Sequence, residues 1–557
     1  MKNFAIAVLF PMTVSVGAIA ETPIRFDDIA ADAGVADVGL NGAGVAFSDY
    51  DNDGDIDIYF SNADAATLEF GIHNRLWQND GTGKFVDVSV ERGVTNRGGL
   101  GRGVSWGDFD NDGDNDLLVA NMQSSAQAGD SVPTTLYRNQ LAETGDPDFV
   151  DITRAAGLMR KGHAKDASRG GITDTAGGIG WVDYDGDGDL DILWRSTDYE
   201  VDQALFRNNG DGTVTDVTAE AGIGIIGRVL AANGQGSSAW FDMDLDGDVD
   251  LLTPNEGDAN VLFHNLGDGT FTEITRSRKP PQGLAFLNPG NSNGACLGDI
   301  DNDGDMDVYL PNADQANRLI RNDWVEKAQV TFADITLASG AGDMGGARGC
   351  TMADYDNDGF MDIYVSNGGP SNSLFNDVVG GLPLSVQFYI AWTPGRNTLL
   401  HNNGDNTFTD VTDGSGAEGM GIGTGVASGD INGDGFADIF ATSRTYYNSG
   451  KLISAAQQNR LFLNRGNANR WLRIKLVGTS GNSNAYNARV RVLAGDLQQH
   501  RELFSATGYN SADDPTMLVG LAQHDEADIV EVTWPNGKVQ TLQNVRAGTT
   551  LTITESD

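Results

Sequence analysis

Residues 48–60 read SDYDNDGDIDIYF, in which Asp49, Asp51, Asp53, Asp55 and Asp57 take alternate positions ahead of an aliphatic run. Carboxylates spaced this way along an extended or tightly turned chain face one another and repel unless protons or a cation neutralise them. The chemistry implied is either binding of a hard cation or a strained loop, and further copies of the pattern decide between the two. Asp108, Asp110, Asp112, Asp114 and Asp116 repeat it, as do Asp183, Asp185, Asp187, Asp189 and Asp191. Asp242, Asp244, Asp246, Asp248 and Asp250 follow, then Asp299, Asp301, Asp303, Asp305 and Asp307. The last two copies are Asp354, Asp356, Asp358, Phe360 and Asp362, and Asp430, Asn432, Asp434, Phe436 and Asp438. Their starts lie 59, 75, 59, 57, 55 and 76 residues apart, the mark of an internal repeat.

Comparing the copies assigns a role to each loop position. Positions 1, 3, 5 and 9 are Asp throughout, Asn432 excepted, and position 6 is always Gly. Position 7 is Asp in five copies and Phe in two, as expected where only its backbone carbonyl is used. Oxygen donors at 1, 3, 5, 7 and 9 around a glycine turn are what Ca²⁺ requires, whereas Mg²⁺ demands a smaller octahedral site. An EF-hand would carry Glu at position 12; the first copy has Phe60 there, inside a β-type run. Asp and Gly also make ordinary turns, but a turn needs one or two such residues, not four or five acids in nine. The expectation is up to seven bound Ca²⁺.

The composition agrees. The 557 residues include 36 Lys and Arg against 79 Asp and Glu, a formal charge of −43, and 73 Gly. Such a surface excludes nucleic acid as a partner, since phosphate contacts need a basic face. Lys2, the apolar run Phe4–Ala20 and the Ala18-Ile19-Ala20 junction read as an export signal over residues 1–20. Pro11 and the shortness of the run argue against a membrane helix, and no later stretch is apolar enough to span a bilayer. The expectation is an exported, periplasmic or extracellular protein, taken to be monomeric. Cys296 and Cys350 precede two of the loops in apolar surroundings, where buried free thiols are expected and a single bridge stays open.

The elements that must position the loops are short strands. A Gly/Ala-rich apolar segment such as GVAFSDY (44–50) or GVSWGDF (103–109) precedes each loop, and a branched aliphatic run such as DIDIYFSN (55–62) follows it. A third segment of the type NRLWQNDGTGKF (74–85) and a fourth of the type FVDVS (85–89) complete four β segments per repeat. Seven four-stranded sheets close most simply as a β-propeller around a central channel. Fourth-strand segments begin at Phe26, Phe85, Phe149, Val214, Phe271, Phe332 and Phe408. The first precedes any loop, so the count balances only if residues 25–30 complete the last blade beside Arg460–Asn464.

SDYDNDGDIDIYFSN, GDFDNDGDNDLLVAN and ADYDNDGFMDIYVSN resemble FG-GAP or VCBS repeats, which form integrin-α-like propellers. The resemblance implies an all-β, seven-bladed propeller over 21–466, calcium in its loops, and almost nothing about the ligand. The tail, 467–557, alternates apolar and polar residues between Gly/Asn turns, as a small β-sandwich does. Trp471-Leu472, Ala488-Arg489-Val490, Gly508-Tyr509, Gly520-Leu521 and Trp534-Pro535-Asn536-Gly537-Lys538 resemble the ASPIC/UnbV module of bacterial cartilage acidic protein-like proteins. TMLVGLAQ (516–523) departs from that module, which more usually has His-Phe before the Gly-Leu.

Catalytic signals are lacking. His73, His163, His264, His401, His500 and His524 show no metal-ligand spacing, and no G-x-S-x-G, Walker or G-x-G-x-x-G element stands in the required context. His73, His264 and His401 fall in third-strand segments, where a hydrogen-bonded structural role is expected. Two function classes remain: a calcium-stabilised exported binding or adhesion module for a protein or glycan, and a secreted carbohydrate-active lyase or hydrolase on a propeller scaffold. The long insertions are the candidate ligand face. They lie at 123–137, at 160–178 with Arg160, Lys161, Lys165 and Arg169, and at 367–397 with Phe388, Tyr389 and Trp392.

Overall fold

The computed structural model describes residues 24–36, 42–63, 73–121, 133–158, 176–196, 203–224, 236–275, 290–369, 393–444, 446–448, 451–454 and 458–556. Each aspartate loop joins the first and second strands of an antiparallel four-stranded arrangement, as in Gly42–Ser48, Asp57–Asn62, Arg75–Asn79 and Phe85–Asp87. The first strands are small-residue sequences buried along their whole length, such as Gly101–Gly107 and Gly423–Gly429. Among the described residues seven such arrangements, called blades 1–7 in chain order of their loops, stand side by side as a β-propeller, that of blade 6 extended by Thr393–Arg396 and Met420–Gly421.

One side chain per blade fastens the ring. The third strand always ends in Asn, whose Nδ2 donates to the carbonyl of the second loop residue in the preceding blade: Asn139 to Tyr50 at 2.9 Å, Asn208 to Phe109 at 2.8 Å, Asn265 to Tyr184 at 2.9 Å. Asn322 to Met243, Asn402 to Ile300 and Asn464 to Tyr355 repeat this at 2.8 Å. Asn79 of blade 1 reaches Ile431 of blade 7, also at 2.8 Å, and so closes the circle.

The N-terminal strand Phe26–Asp28 pairs with Arg460–Asn464 in the register Phe26 to Asn464 and Asp28 to Phe462, supplying the fourth strand of blade 7 as the segment count required. Phe26 is buried edge-on against Tyr355 with ring centroids 5.7 Å apart, and Arg465 pairs with Asp27. Cys296 and Cys350 are bridged, correcting the expectation of free thiols: their Cα atoms lie 6.0 Å apart. The pair is 54 residues apart in sequence and becomes adjacent because the first strands of blades 5 and 6 abut.

The tail forms two sheets. Arg489–Ala494 is flanked by Leu497–Glu502 and Glu526–Thr533, with Val539–Arg546 outermost; Arg470–Val477 lies between Met517–Ala522 and, in parallel, Thr549–Thr554. Leu472, Val490, Val519, Val530 and Trp534 share one core with Phe109 and Trp181 of blades 2 and 3, so this module is packed onto the propeller. Between Glu502 and Met517 the chain leaves the module and runs into the central channel. There Ala512 exchanges backbone hydrogen bonds with Val45 and Phe47, Gly508 N–H donates to Ala295 O at 2.9 Å, and Val104 N–H to Asn510 O at 3.2 Å. Asp513, partly buried, accepts from Ser428 N–H at 2.7 Å and from the hydroxyls of Thr351 and Thr507. The channel is thus filled by backbone, which is why Gly44 has no room for a Cβ: one would stand 2.0 Å from Asn510 O.

Candidate metal centres

Within each loop the backbone is held by the carboxylates at its ends. Position 1 accepts from the N–H of the position-6 glycine in all seven copies, from Gly54 to Asp49 at 3.2 Å through Gly435 to Asp430 at 2.8 Å. That glycine has φ between +87° and +110°, a conformation closed to most side chains, which explains its presence in every copy. Position 9 opens the second strand, is buried, and uses both oxygens on backbone N–H groups. Asp116, for example, accepts from Phe109 and Asn139, each at 2.8 Å, and Asp438 from Ile431 at 3.1 Å and Asn464 at 2.7 Å.

Positions 3 and 5 are different. Asp51, Asp185, Asp244, Asp301 and Asp356, all at position 3, each keep a buried Oδ1 with no hydrogen-bond partner. Asp183 Oδ1, Asp303 Oδ2, Asp114 Oδ1 and Asp305 Oδ1 are in the same state. Oxygens of Asp49, Asp51 and Asp53 lie within 4.8 Å of one another, as do those of Asp108, Asp110 and Asp112. Two carboxylates about 4 Å apart repel by about 4 kcal/mol at an effective dielectric of 20. The strain is visible in the acidities: burial, then Asp53 and Asp49, push Asp51 up to about 6, and burial, then Asp112 and Asp108, do the same to Asp110. Burial, then Asp187 and Asp185, lift Asp183 to about 7. Partnerless, converging, hard oxygen donors fit a divalent ion such as Ca²⁺.

Position 7 turns its side chain the other way. Asp55, Asp189 and Asp248 sit against Gly81, Gly210 and Gly267 of the third-to-fourth-strand turn, and Phe360 and Phe436 against Gly404 and Gly466. In blades 2 and 5, Asp114 and Asp305 accept from Ala142 and Val325 in the short helices Leu141–Thr144 and Trp324–Lys327. A side chain used for packing can change from Asp to Phe while its carbonyl keeps its place.

The third strands contribute a further set of residues, of which only His264 and His401 stand out in the sequence. The residue before each third-strand Asn faces position 3: Gln78 Nε2 donates to Asp51 at 2.5 Å, Arg138 is 3.7 Å from Asp110, Arg321 is 3.8 Å from Asp301. His264 stands 3.3 Å from Asp244, and His401 3.0 Å from Asp362 and 3.9 Å from Asp356, so these histidines lie beside the loops. Burial opposes the charge of His401, but Asp362 and Asp356 lift its pKa to about 9. The invariant Asn one residue on was the available signal, and only Leu463 breaks the polar pattern.

The C-terminal module lies over the same face and touches all seven loops. Lys475 Nζ is 3.2 Å from Asp49, Ser483 Oγ donates to Asp108 at 2.5 Å, and Gly481 packs on Gly188. Arg489 donates to Gly304 O at 2.6 Å and acts electrostatically on Asp242. The buried Arg501 does so on Asp299 and Asp354, and Arg473 pairs with Asp430 at 3.3 Å. Gly520 rests on blade 6 so closely that a Cβ would be 2.1 Å from Asp354 Oδ2. The segment read as an export signal and the insertion residues Arg160, Lys161, Lys165, Arg169, Phe388, Tyr389 and Trp392 lie outside the described residues. Among the described residues no helix is long and apolar enough to cross a membrane.

Repeated aspartate hairpins in a propeller, followed by a β module seated on them, define a class, and family comparison agrees. The FG-GAP-like repeat model matches residues 49–119, 183–253, 242–310, 299–365 and 386–441, and the ASPIC and UnbV model matches 478–557. The chain belongs to the FG-GAP-like repeat family, with an ASPIC and UnbV module. Cartilage acidic protein 1 of Mus musculus is 26% identical over 521 residues, 89% of this chain and 71% of that one. Its Homo sapiens counterpart is 26% identical over 529 residues, 91% and 70%. The solved rhamnogalacturonan lyase YesW is 12% identical with a TM-score of 0.35, covering 79% of this chain and 75% of that one, a distance at which no shared ligand follows.

Proposed function

We propose that the chain is an exported calcium-binding propeller that presents the face opposite its aspartate loops to a protein or glycan ligand. The observation that carries the metal reading is the set of buried, partnerless carboxylate oxygens at position 3. Positions 1, 3, 5 and 9 would hold the ion with the carbonyl of position 7, and the ion would supply the positive charge that these clustered acids lack. Export accords with the signal-like residues 1–20 and with a disulfide, a bond that persists in oxidising compartments.

The ligand side of the reading rests on which face is taken. The module covers the loops, while the second strands end away from them, at Asn121 and Gly369, where two of the long insertions depart. Ligand capture on loops carried by a rigid scaffold is the common arrangement. A glycan array and a pull-down with the chain from Glu21 onward, in calcium and in EDTA, test it. Calcium-dependent capture that falls on replacing Phe388, Tyr389 and Trp392 by Ala, without loss of melting temperature, is expected. Absence of any captured protein or glycan, or cleavage of a presented polysaccharide, contradicts it, the latter in favour of an enzyme.

A further inference from the structure

Loop 7 does not fit the ion that the other six loops fit. It has Asn432 where they have Asp, and the amide is committed inside the loop: Nδ2 donates to Asp434 Oδ2 at 2.9 Å while Oδ1 accepts the Asp434 N–H at 3.2 Å. Loops 1 and 3 to 6 each contain a buried position-3 carboxylate oxygen without a partner, loop 2 has one only at position 7, on Asp114, and loop 7 contains none. The residue before the third-strand Asn is polar or cationic in the other six blades and is Leu463 here.

The cation of loop 7 comes from the module. Arg473 Nε is 3.3 Å from Asp430 Oδ2, with the Asp430 side chain wholly inaccessible and that of Arg473 only 12% exposed. Its Nη1 lies 3.6 Å from where a Cβ on Gly433 would stand, so the guanidinium is laid across the loop. Trp471, two residues earlier on the same strand, covers Gly435 so tightly that a Cβ there would meet the indole at 1.9 Å. Lys475, next on that face, pairs with Asp49 but is 44% exposed, where water screens the pair.

We infer that loop 7 takes the Arg473 guanidinium in place of a divalent ion and is one anchor by which the module grips the propeller. The inference rests on the calcium reading of the other loops. A permanently charged guanidinium beside the position-1 carboxylate supplies one positive charge to three acids, Asp430, Asp434 and Asp438, and occupies the approach an ion would use. Trp471 covers the Gly435 side of the loop, while Gly433 and Asp434 stay open to water.

The test is a calcium count on the full chain from Glu21, loaded with calcium, freed of excess and weighed by native mass spectrometry. Six ions are expected. Asp183→Asn in loop 3 lowers the count to five, while Asp430→Asn leaves it at six and lowers the melting temperature equally with and without calcium. Restoring the acid and removing the guanidinium together, Asn432→Asp with Arg473→Gln, brings the count to seven. Seven ions in the unaltered chain, a loss of one on Asp430→Asn, or a count unmoved in the double variant overturns the inference. A count of zero in the unaltered chain instead overturns the calcium reading on which it stands.

Discussion

Aspartates that look alike in sequence do different work. Position 9 spends both oxygens on buried backbone N–H groups, so it is part of the fold whether or not metal is present. Position 3 leaves a buried oxygen unpartnered in five of the seven loops and is costly there without a cation. Measured by urea unfolding in EDTA, Asp116→Ala is expected to destabilise by roughly 2–5 kcal/mol, because two N–H groups lose their acceptor. Asp244→Asn in EDTA is expected to be neutral or stabilising, and to become destabilising once calcium is added. Asp513 is a titratable group of the channel: burial pushes it up to about 6, with its hydrogen bonds from Ser428, Thr507 and Thr351 opposing. Its folded pKa lies above the unfolded value near 3.8, so the folded state holds the proton more firmly, and stability falls as pH rises from about 4 to about 6. Asp513→Asn removes that slope. Its melting temperature should equal or exceed that of the unaltered chain above pH 6, by up to about 3 kcal/mol in stability, with no advantage at pH 4.

At the level of elements, the strand exchange at Phe26–Asp28 is the one most exposed to test. Deleting residues 25–30 strips blade 7 of its outer strand and frees the backbone groups of Arg460–Asn464, and the expected result is a single cooperative loss of stability across the propeller. Phe26→Ala, which keeps the strand but empties the pocket beside Tyr355, is expected to cost about 3–5 kcal/mol in denaturant unfolding. Reducing the Cys296–Cys350 bridge should cost about 2–4 kcal/mol. The closing strand was legible because seven fourth-strand segments could be counted against seven loops, and the loops because their residues repeat locally. The cysteine pairing was not, since nothing local joins residues 54 apart until two blades are set side by side. The residues before the third-strand Asn escaped for a related reason: their types vary from Gln to Arg to His, and only their shared neighbour, the position-3 Asp, unites them.

The whole molecule is one body rather than a propeller with an appendage. The segment SATGYNSADDP (505–515), which fills the channel, is largely polar in sequence, and the ring of first strands supplies its burial. Its Gly508-Tyr509 pair was visible as a family motif, with Tyr509 wholly buried beneath Arg348, but sequence alone assigns such a motif no place in a channel. Truncating the chain after Gly466 is expected to leave a propeller with an open channel and uncovered loops, and to produce insoluble or molten protein. The central claim is that cations in the aspartate loops hold this body together. Calorimetric melting of the chain from Glu21 onward, in calcium and after EDTA, with elemental analysis of the same sample, addresses it most directly. The account predicts several bound calcium ions per chain and a melting temperature lower by roughly 10 °C or more once they are removed, since ions that bind the folded state alone stabilise it by mass action. Superimposable melting curves from a sample containing no calcium would contradict it.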